Sequence, residues 1–349
     1  MAEIDHWHPV FSSKALKDKP VAVRLAGRNL ALFRNGSNQV GALVDHCPHR
    51  RMKLSAGSVV GDKLRCRYHG WTYDCEGHGE SPGTPKLHAC AESFEAVESF
   101  GAIWVKPRDA SAVFPHFDVD GWYHMCTLFH RAKAPLEVTA DNFCEIEHTP
   151  TTHALFGYTL ERMHEVQVRF ETTDTTVRVI NHGPPKKINR FLRFLLGITP
   201  DFDFHDDWTT HFSPVYSVYD HWWVDPKTGA ESWVRWRLYM FIVPNDGATT
   251  SVITFAFTKS RYPGPAGGMR LAKWWMVRSL SHEIDLDVNI LEDLADQSPQ
   301  LEGMKLSRFD RALGLNRERI ERVYRGKKDV KLTQESASST HANGSNGSA

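Results

Sequence analysis

The sequence lacks net charge: 42 Lys and Arg balance 42 Asp and Glu over 349 residues. Without an excess of either sign there is no global field to draw nucleic acid or an anionic membrane. No uninterrupted apolar run approaches the ~18 residues of a transmembrane helix, so no stable membrane association is expected. The opening Met1-Ala2-Glu3-Ile4-Asp5-His6 has neither the basic nor the apolar stretch of a secretion signal, which leads to the expectation of a cytoplasmic protein. Cysteine is sparse, at Cys47, Cys66, Cys75, Cys90, Cys126 and Cys144. In a long chain without a signal, metal ligation or burial is a better reading of these than a disulfide scaffold. No internal repeat is evident.

What is present suggests two domains, since the length exceeds that of one ordinary domain and 41% of residues are apolar. Short alternating segments at Val21–Leu25, Leu30–Phe33, Val40–Val44 and Gly101–Val105, separated by turn signals such as Asn35-Gly36, predict a small all-β unit. A boundary falls near residue 115, after Pro107 and Pro115. Further strands are expected at Val166–Phe170, Thr176–Ile180, Trp233–Val243 and Ser251–Phe257, then a long helix over Met269–Asp296. Pro185–Leu196 is basic and amphipathic; a packed helix is the better reading, a lid or membrane-touching helix the other. The Ser/Thr/Asn/Gly-rich tail after Lys331 is expected to be disordered.

Two constellations carry chemistry. Cys47-Pro48-His49 and Cys66-Arg67-Tyr68-His69 each offer one sulfur and one nitrogen. Zinc is the main alternative for such a set. However, paired half-sites let one iron take both cysteines and the other both histidines, the division of a Rieske centre. The second constellation is Glu145-Ile146-Glu147-His148-Thr149-Pro150-Thr151-Thr152-His153. Histidines five apart lie about 140° apart on a straight helix. Pro150 should break that helix and swing His153 back toward His148. On the long helix, Leu280, Ile284, Leu291 and Leu294 form an apolar stripe with Asp287 at its centre. A carboxylate aimed at the core is costly unless it is paired or binds metal. Glu283 borders the stripe and is the runner-up, whereas Asp285, Glu292, Asp293 and Asp296 lie off it.

The segments Cys47-Pro48-His49-Arg50 and Cys66-Arg67-Tyr68-His69-Gly70-Trp71-Thr72-Tyr73-Asp74 closely resemble the cluster loops of Rieske non-haem iron oxygenases. Neither loop has the extra cysteine of respiratory-chain Rieske proteins. Glu145–His153 resembles the family's (D/E)xxHxxxxH element, with Glu145 where Asp is usual, and Ile284–Leu291 resembles its ExDxxIL helix.

The resemblance implies an α+β chain: an all-β Rieske [2Fe–2S] domain over 1–115 and a helix-grip (START-like) catalytic domain with antiparallel sheet over 116–330, followed by the tail 331–349. It implies a cluster on Cys47, His49, Cys66 and His69, and a mononuclear Fe(II) on His148, His153 and Asp287. The implied activity is that of a terminal oxygenase using O2 and electrons from a ferredoxin or NAD(P)H-dependent reductase. It would hydroxylate or oxidatively demethylate a small organic substrate. Arene cis-dihydroxylation is the alternative, and a non-catalytic Rieske electron carrier the alternative of another class. The resemblance further implies a homotrimer in which Glu145 links His148 to His69 of the partner subunit. It also points to Trp208, Trp222, Trp223, Trp233, Trp236 and His221 as the region lining the pocket. Cys75, Cys90, Cys126 and Cys144 are expected to be small buried hydrophobes.

Overall fold

The computed structural model describes residues 2–261 and 273–328. The expected tail and the first residues of the expected long helix lie outside the described residues. The strands β1 (His8–Ser12), β2 (Val21–Leu25), β3 (Arg28–Arg34) and β4 (Val40–Val44) open a first sheet. Five short strands then form a second: β5 (Ser58–Val60), β6 (Lys63–Arg65), β7 (Thr72–Tyr73), β8 (His78–Ser81) and β9 (Thr84–Cys90). The chain returns through β10 (Ser93–Ser99) and β11 (Ala102–Pro107), completing the first sheet in the order β1-β11-β10-β4-β3-β2.

The rest of the chain is built on one antiparallel sheet. Its strands are β12 (Tyr123–Ala132), β13 (Gln167–Thr172), β14 (Thr176–Gly183), β15 (Asp203–Phe212), β16 (Val215–Val224), β17 (Val234–Pro244) and β18 (Thr250–Ser260). Their order is β12-β18-β17-β16-β15-β14-β13. Helices α1 (Leu136–Asn142), α2 (Thr149–Thr152), α3 (Arg190–Leu196), α4 (Lys273–Ile290) and α5 (Arg311–Arg319) complete the chain. Among the described residues no helix is long and apolar enough to cross a membrane.

This sheet is buried on both faces, and β17 shows how. Trp236, Leu238, Met240 and Ile242 enter one core, shared with α1, α4, Ala312 of α5 and Ile320 and Tyr324 beyond it. Tyr239, Phe241 and Val243 enter another, shared with Phe94 and Trp104 of the first sheet and with Trp7 just ahead of it. Period-two alternation thus serves two cores at once. The expected all-β unit followed by an antiparallel-sheet unit is what the chain forms.

Three expectations need correction. The long helix gives way at Leu291 to a single 3-10 turn, and Leu294 is extended and exposed, so the apolar stripe stops at Leu291. The side-chain amide of Gln297 donates to the Leu291 carbonyl (2.7 Å), giving that helix end the partner it needs. The second correction concerns β15, which the alternation did not reveal. Its inward positions are Phe204, Asp206, Trp208, Thr210 and Phe212, and the two polar residues among them mask the period. The third is Cys90, which is exposed, while Cys75 and Cys144 are buried and Cys126 is half-buried. Pro185–Leu196 ends in the packed helix α3, capped by Asn189 and stopped by Gly197 at φ +68°; Leu192 and Leu196 face inward.

Candidate metal centres and active site

The two cysteine loops are built alike. The Cys47 N–H donates to Met52 O (2.8 Å) while its carbonyl accepts from Arg51 N (2.8 Å). The Cys66 N–H likewise donates to Trp71 O (2.7 Å), and its carbonyl accepts from Gly70 N (3.1 Å). Both turns need a left-handed residue at the same place, Arg51 at φ +57° and Gly70 at φ +72°. Both cysteines are buried, with the Tyr73 hydroxyl 3.1 Å from the Cys47 sulfur. The histidines lie outward: the His49 and His69 ring centroids are 4.5 Å apart, and His49 stacks on Trp71 at 4.7 Å. Two inner sulfurs and two outer imidazoles are a donor set that could hold a two-iron cluster.

The second centre comes from α2 and α4. Helix α1 already ends at Asn142, so the chain breaks ahead of Pro150 and not at it. Pro150 instead starts the one-turn helix α2, where its missing N–H costs nothing. His148 and His153 are the two caps of that turn, and His153 leaves it in extended conformation (φ −82°, ψ 150°). Their Nε2 atoms meet at 3.1 Å, and Asp287 Oδ1 lies 3.2 Å from each. Among the described residues this is the group of three donors that could hold a metal ion. The triangle's edges match donors about 3 Å apart, as an ion with bonds near 2.1–2.2 Å holds neighbours at right angles. Two imidazoles and one carboxylate on one face is the donor set of non-haem ferrous sites.

Electrostatics agree. Burial pushes the His148 ring down, but the hydrogen bonds to Asp287 and Glu145 outweigh it and hold its pKa up at about 10. Burial likewise lowers His153, and its contacts to Asp287 and Glu283 bring it up to about 9. Burial raises Asp287, yet the two imidazoles leave it below the usual carboxylate range. The site calls for positive charge, which a divalent cation supplies in place of protons.

Outer contacts fix each candidate donor. A Glu145 carboxylate oxygen accepts from His148 Nδ1, and Glu145 also accepts from the His148 backbone N–H (3.3 Å). The Asn142 amide donates to Asp287 Oδ1 (3.1 Å), and Arg317 of α5 anchors the neighbouring Asp141. Glu283, buried on α4, lies 3.0 Å from His153 Nδ1 and accepts from the backbone of Ala154 and Leu155. Of the carboxylates read as solvated, Asp285 is exposed and Glu292 pairs with Lys133 (2.8 Å).

The triangle opens on a cavity of about 90 Å³. Phe143, Phe156, Trp208, Tyr219, Leu238, Met240, Leu280 and Ile284 give it apolar walls, with Asp206 and His221 on the β15–β16 side. A small apolar pocket of about 20 Å³ shares Phe156 and Leu280 with it and takes Trp223 and Trp236 into its wall. Trp222 faces away, stacked on His205, and Trp233 packs against Gly197. Asn142 and Asp206 were not singled out in the sequence; Asp206 hides in the masked alternation of β15.

Residues 6–99 match the Rieske [2Fe-2S] domain. The chain is 29% identical over 190 residues to the chloroplastic protein TIC 55 of Pisum sativum, covering 50% of this chain and 34% of that one. It is 34% identical over 139 residues to a vanillate O-demethylase oxygenase subunit of a Pseudomonas species, covering 37% and 42%. It therefore spans less than half the length of these curated relatives. Dicamba monooxygenase bound to 3,6-dichlorosalicylic acid has the same fold, with a TM-score of 0.73 over 92% of this chain and 97% of that one, at 19% identity. This chain thus joins a Rieske [2Fe-2S] domain over residues 6–99, the fold of a solved monooxygenase, and a His148, His153, Asp287 donor group.

Proposed function

We propose that the chain is the terminal oxygenase of a multicomponent system and hydroxylates or oxidatively demethylates a small organic substrate. The observation that carries this reading is the His148, His153, Asp287 triangle opening on an apolar cavity beside a Rieske domain. An electron carrier has no use for such a chamber. When bound, a [2Fe–2S] cluster on Cys47, His49, Cys66 and His69 supplies single electrons, and ferrous iron on the triangle supplies O2 activation. The electrons come from a ferredoxin or NAD(P)H-dependent reductase.

The chain's own residues have separable tasks in this reading. Asp287 gives the iron site one negative charge, and its lack of a proton keeps Oδ1 free to bind. Glu145 and Glu283 hold the Nδ1 sides of His148 and His153, turning each Nε2 inward. Phe156, Leu280 and Ile284 exclude water where the substrate ring lies. The Rieske unit spans residues 1–115 and the catalytic unit 116–330, assembled as a homotrimer. A carboxylate has more lone pairs than His148 uses, so Glu145 can also accept from His69 of the partner subunit.

The test is O2 uptake coupled to product, with an artificial reductase and a panel of aromatic and alicyclic substrates. His148→Ala, His153→Ala and Asp287→Ala should each lose the mononuclear iron and all coupled uptake while the Rieske EPR signal persists. A colourless protein that holds only zinc, however purified, would refute the reading.

A further inference from the structure

The β15–β16 hairpin presents four polar-tipped residues on one inner face. Asp206 pairs with His221 across the strands, and Trp208 with Tyr219. Positions two apart on a strand share a face, so Trp208 is the diagonal neighbour of His221. All four line the cavity opposite the metal triangle. All four are more than nine-tenths buried. Tyr219 donates its hydroxyl proton to Phe143 O, so it is already engaged.

His221 and Trp208 each keep an unused atom. His221 Nε2 lies 2.9 Å from Asp206 Oδ1. A carboxylate only accepts, so Nε2 carries a proton; with that one proton on the ring, Nδ1 is an acceptor. Trp208 Nε1–H is a donor with no other role. Among the described residues neither His221 Nδ1 nor Trp208 Nε1 finds a hydrogen-bond partner. Buried polar atoms without partners are costly, and in a cavity wall they mark where a ligand's polar group belongs.

The charge of the cavity narrows the chemistry. Glu145, Asp206, Glu283 and Asp287 line it, and its described lining has no lysine or arginine. Lys186 approaches the same loop but donates to the His153 carbonyl. A substrate carboxylate would find these carboxyl groups around it and no cationic side chain in the lining to receive it. A hydroxyl meets no such penalty: its proton suits Nδ1 and its oxygen can accept from an indole N–H.

We infer that the cavity selects an uncharged, largely apolar ring substrate bearing a phenolic or alcoholic hydroxyl, anchored by His221 and Trp208. Asp206 is the positioning residue that fixes the His221 tautomer. The inference rests on this cavity being the reaction chamber, and it names the substrate class that chamber takes.

Binding of 2-naphthol, naphthalene and 2-naphthoate to the anaerobic holoenzyme tests it by calorimetry, with no turnover required. The naphthol should bind about tenfold or more tighter than either analogue. His221→Phe and Trp208→Phe should each erase most of that preference while leaving naphthalene binding and the Rieske spectrum as they were. Asp206→Asn should weaken naphthol only. Tightest binding by the naphthoate would overturn the inference in favour of a charged imidazolium site. Equal binding of all three by the unaltered protein would overturn it too, assigning the unused atoms to water. Either failure leaves the oxygenase reading intact, because iron content and coupled O2 uptake are measured separately.

Discussion

Glu283 and Asp287, one helical turn apart on α4, hold the same imidazole from its two sides. Asp287 Oδ1 lies 3.2 Å from His153 Nε2, and Glu283 Oε2 lies 3.0 Å from Nδ1. Residues i and i+4 share a helix face, so one rigid element sets both the ligand and its clamp. Glu283→Ala is expected to weaken Fe(II) binding about 10–100-fold without disturbing the cluster. Glu283→Gln keeps an oxygen for the Ala154 and Leu155 N–H groups and should fall between the two. Titrating the iron-stripped mononuclear site while following the visible cluster spectrum reads this directly. If Asp287→Ala keeps iron and Glu283→Ala loses it, the roles are reversed.

Glu145 holds His148 as Glu283 holds His153, but it is less deeply buried, with 14% of its side chain exposed against 6%. As the proposed link between subunits, Glu145→Gln should retain both metals and the trimer yet lose most turnover. Glu147, exposed beside it, should tolerate Gln. Normal turnover in Glu145→Gln, or a fully active monomer by light scattering, contradicts the link.

Gly157 has φ +107°, and a Cβ there would run into the Thr149 side chain between His148 and Pro150. Gly157→Ala combines a disfavoured backbone with a push on the ligand turn. A loss of about 1–3 kcal/mol in stability and a drop in bound iron are expected, measured by urea titration and metal analysis. Unchanged values would mean that the turn yields without cost.

Buried histidines set an acid limit. Burial pushes His8 down from 6.5 to about 3, against a hydrogen bond to the Glu3 carbonyl that opposes the shift. Burial also lowers His6. Below pH 6.5 the unfolded chain takes up a proton at His8 that the folded protein refuses until about pH 3. The stability His8 contributes is therefore complete above 6.5 and is lost as pH falls through that window, by up to about 1.4 kcal/mol per pH unit. His8→Phe should flatten the acid limb of the urea-midpoint curve. An identical slope in both proteins would assign acid lability elsewhere.

Much of this was legible in the sequence because the chemistry is local. Two Cys/His pairs and a His/His turn sit within short loops, and Asp287 stood out because its neighbours Leu280, Ile284 and Leu291 are apolar. What stayed hidden depends on strand register or on helix ends. Asp206 and His221 are 15 residues apart and become partners only through the β15–β16 pairing. Arg51 gave no sign of a left-handed backbone, since glycine fills the matching place in the other loop. Leu294 kept the helical spacing but not the helix.

The sheet that carries the active site also lends its other face to the cluster-bearing part of the chain. Trp104 stacks on Phe255 at 5.3 Å and meets Phe241 edge-on at 4.9 Å, joining residues far apart in sequence. The order of synthesis gives this contact a cost: Trp104, Phe94 and Ile103 are made long before their partners and must wait, uncovered, until the segment around Phe257 has been translated. A fragment ending near residue 115 would expose that apolar face permanently and is expected to aggregate. Nascent chains thus pass through a window in which this apolar face is open to self-association, and the folding of β17 and β18 against it ends that window.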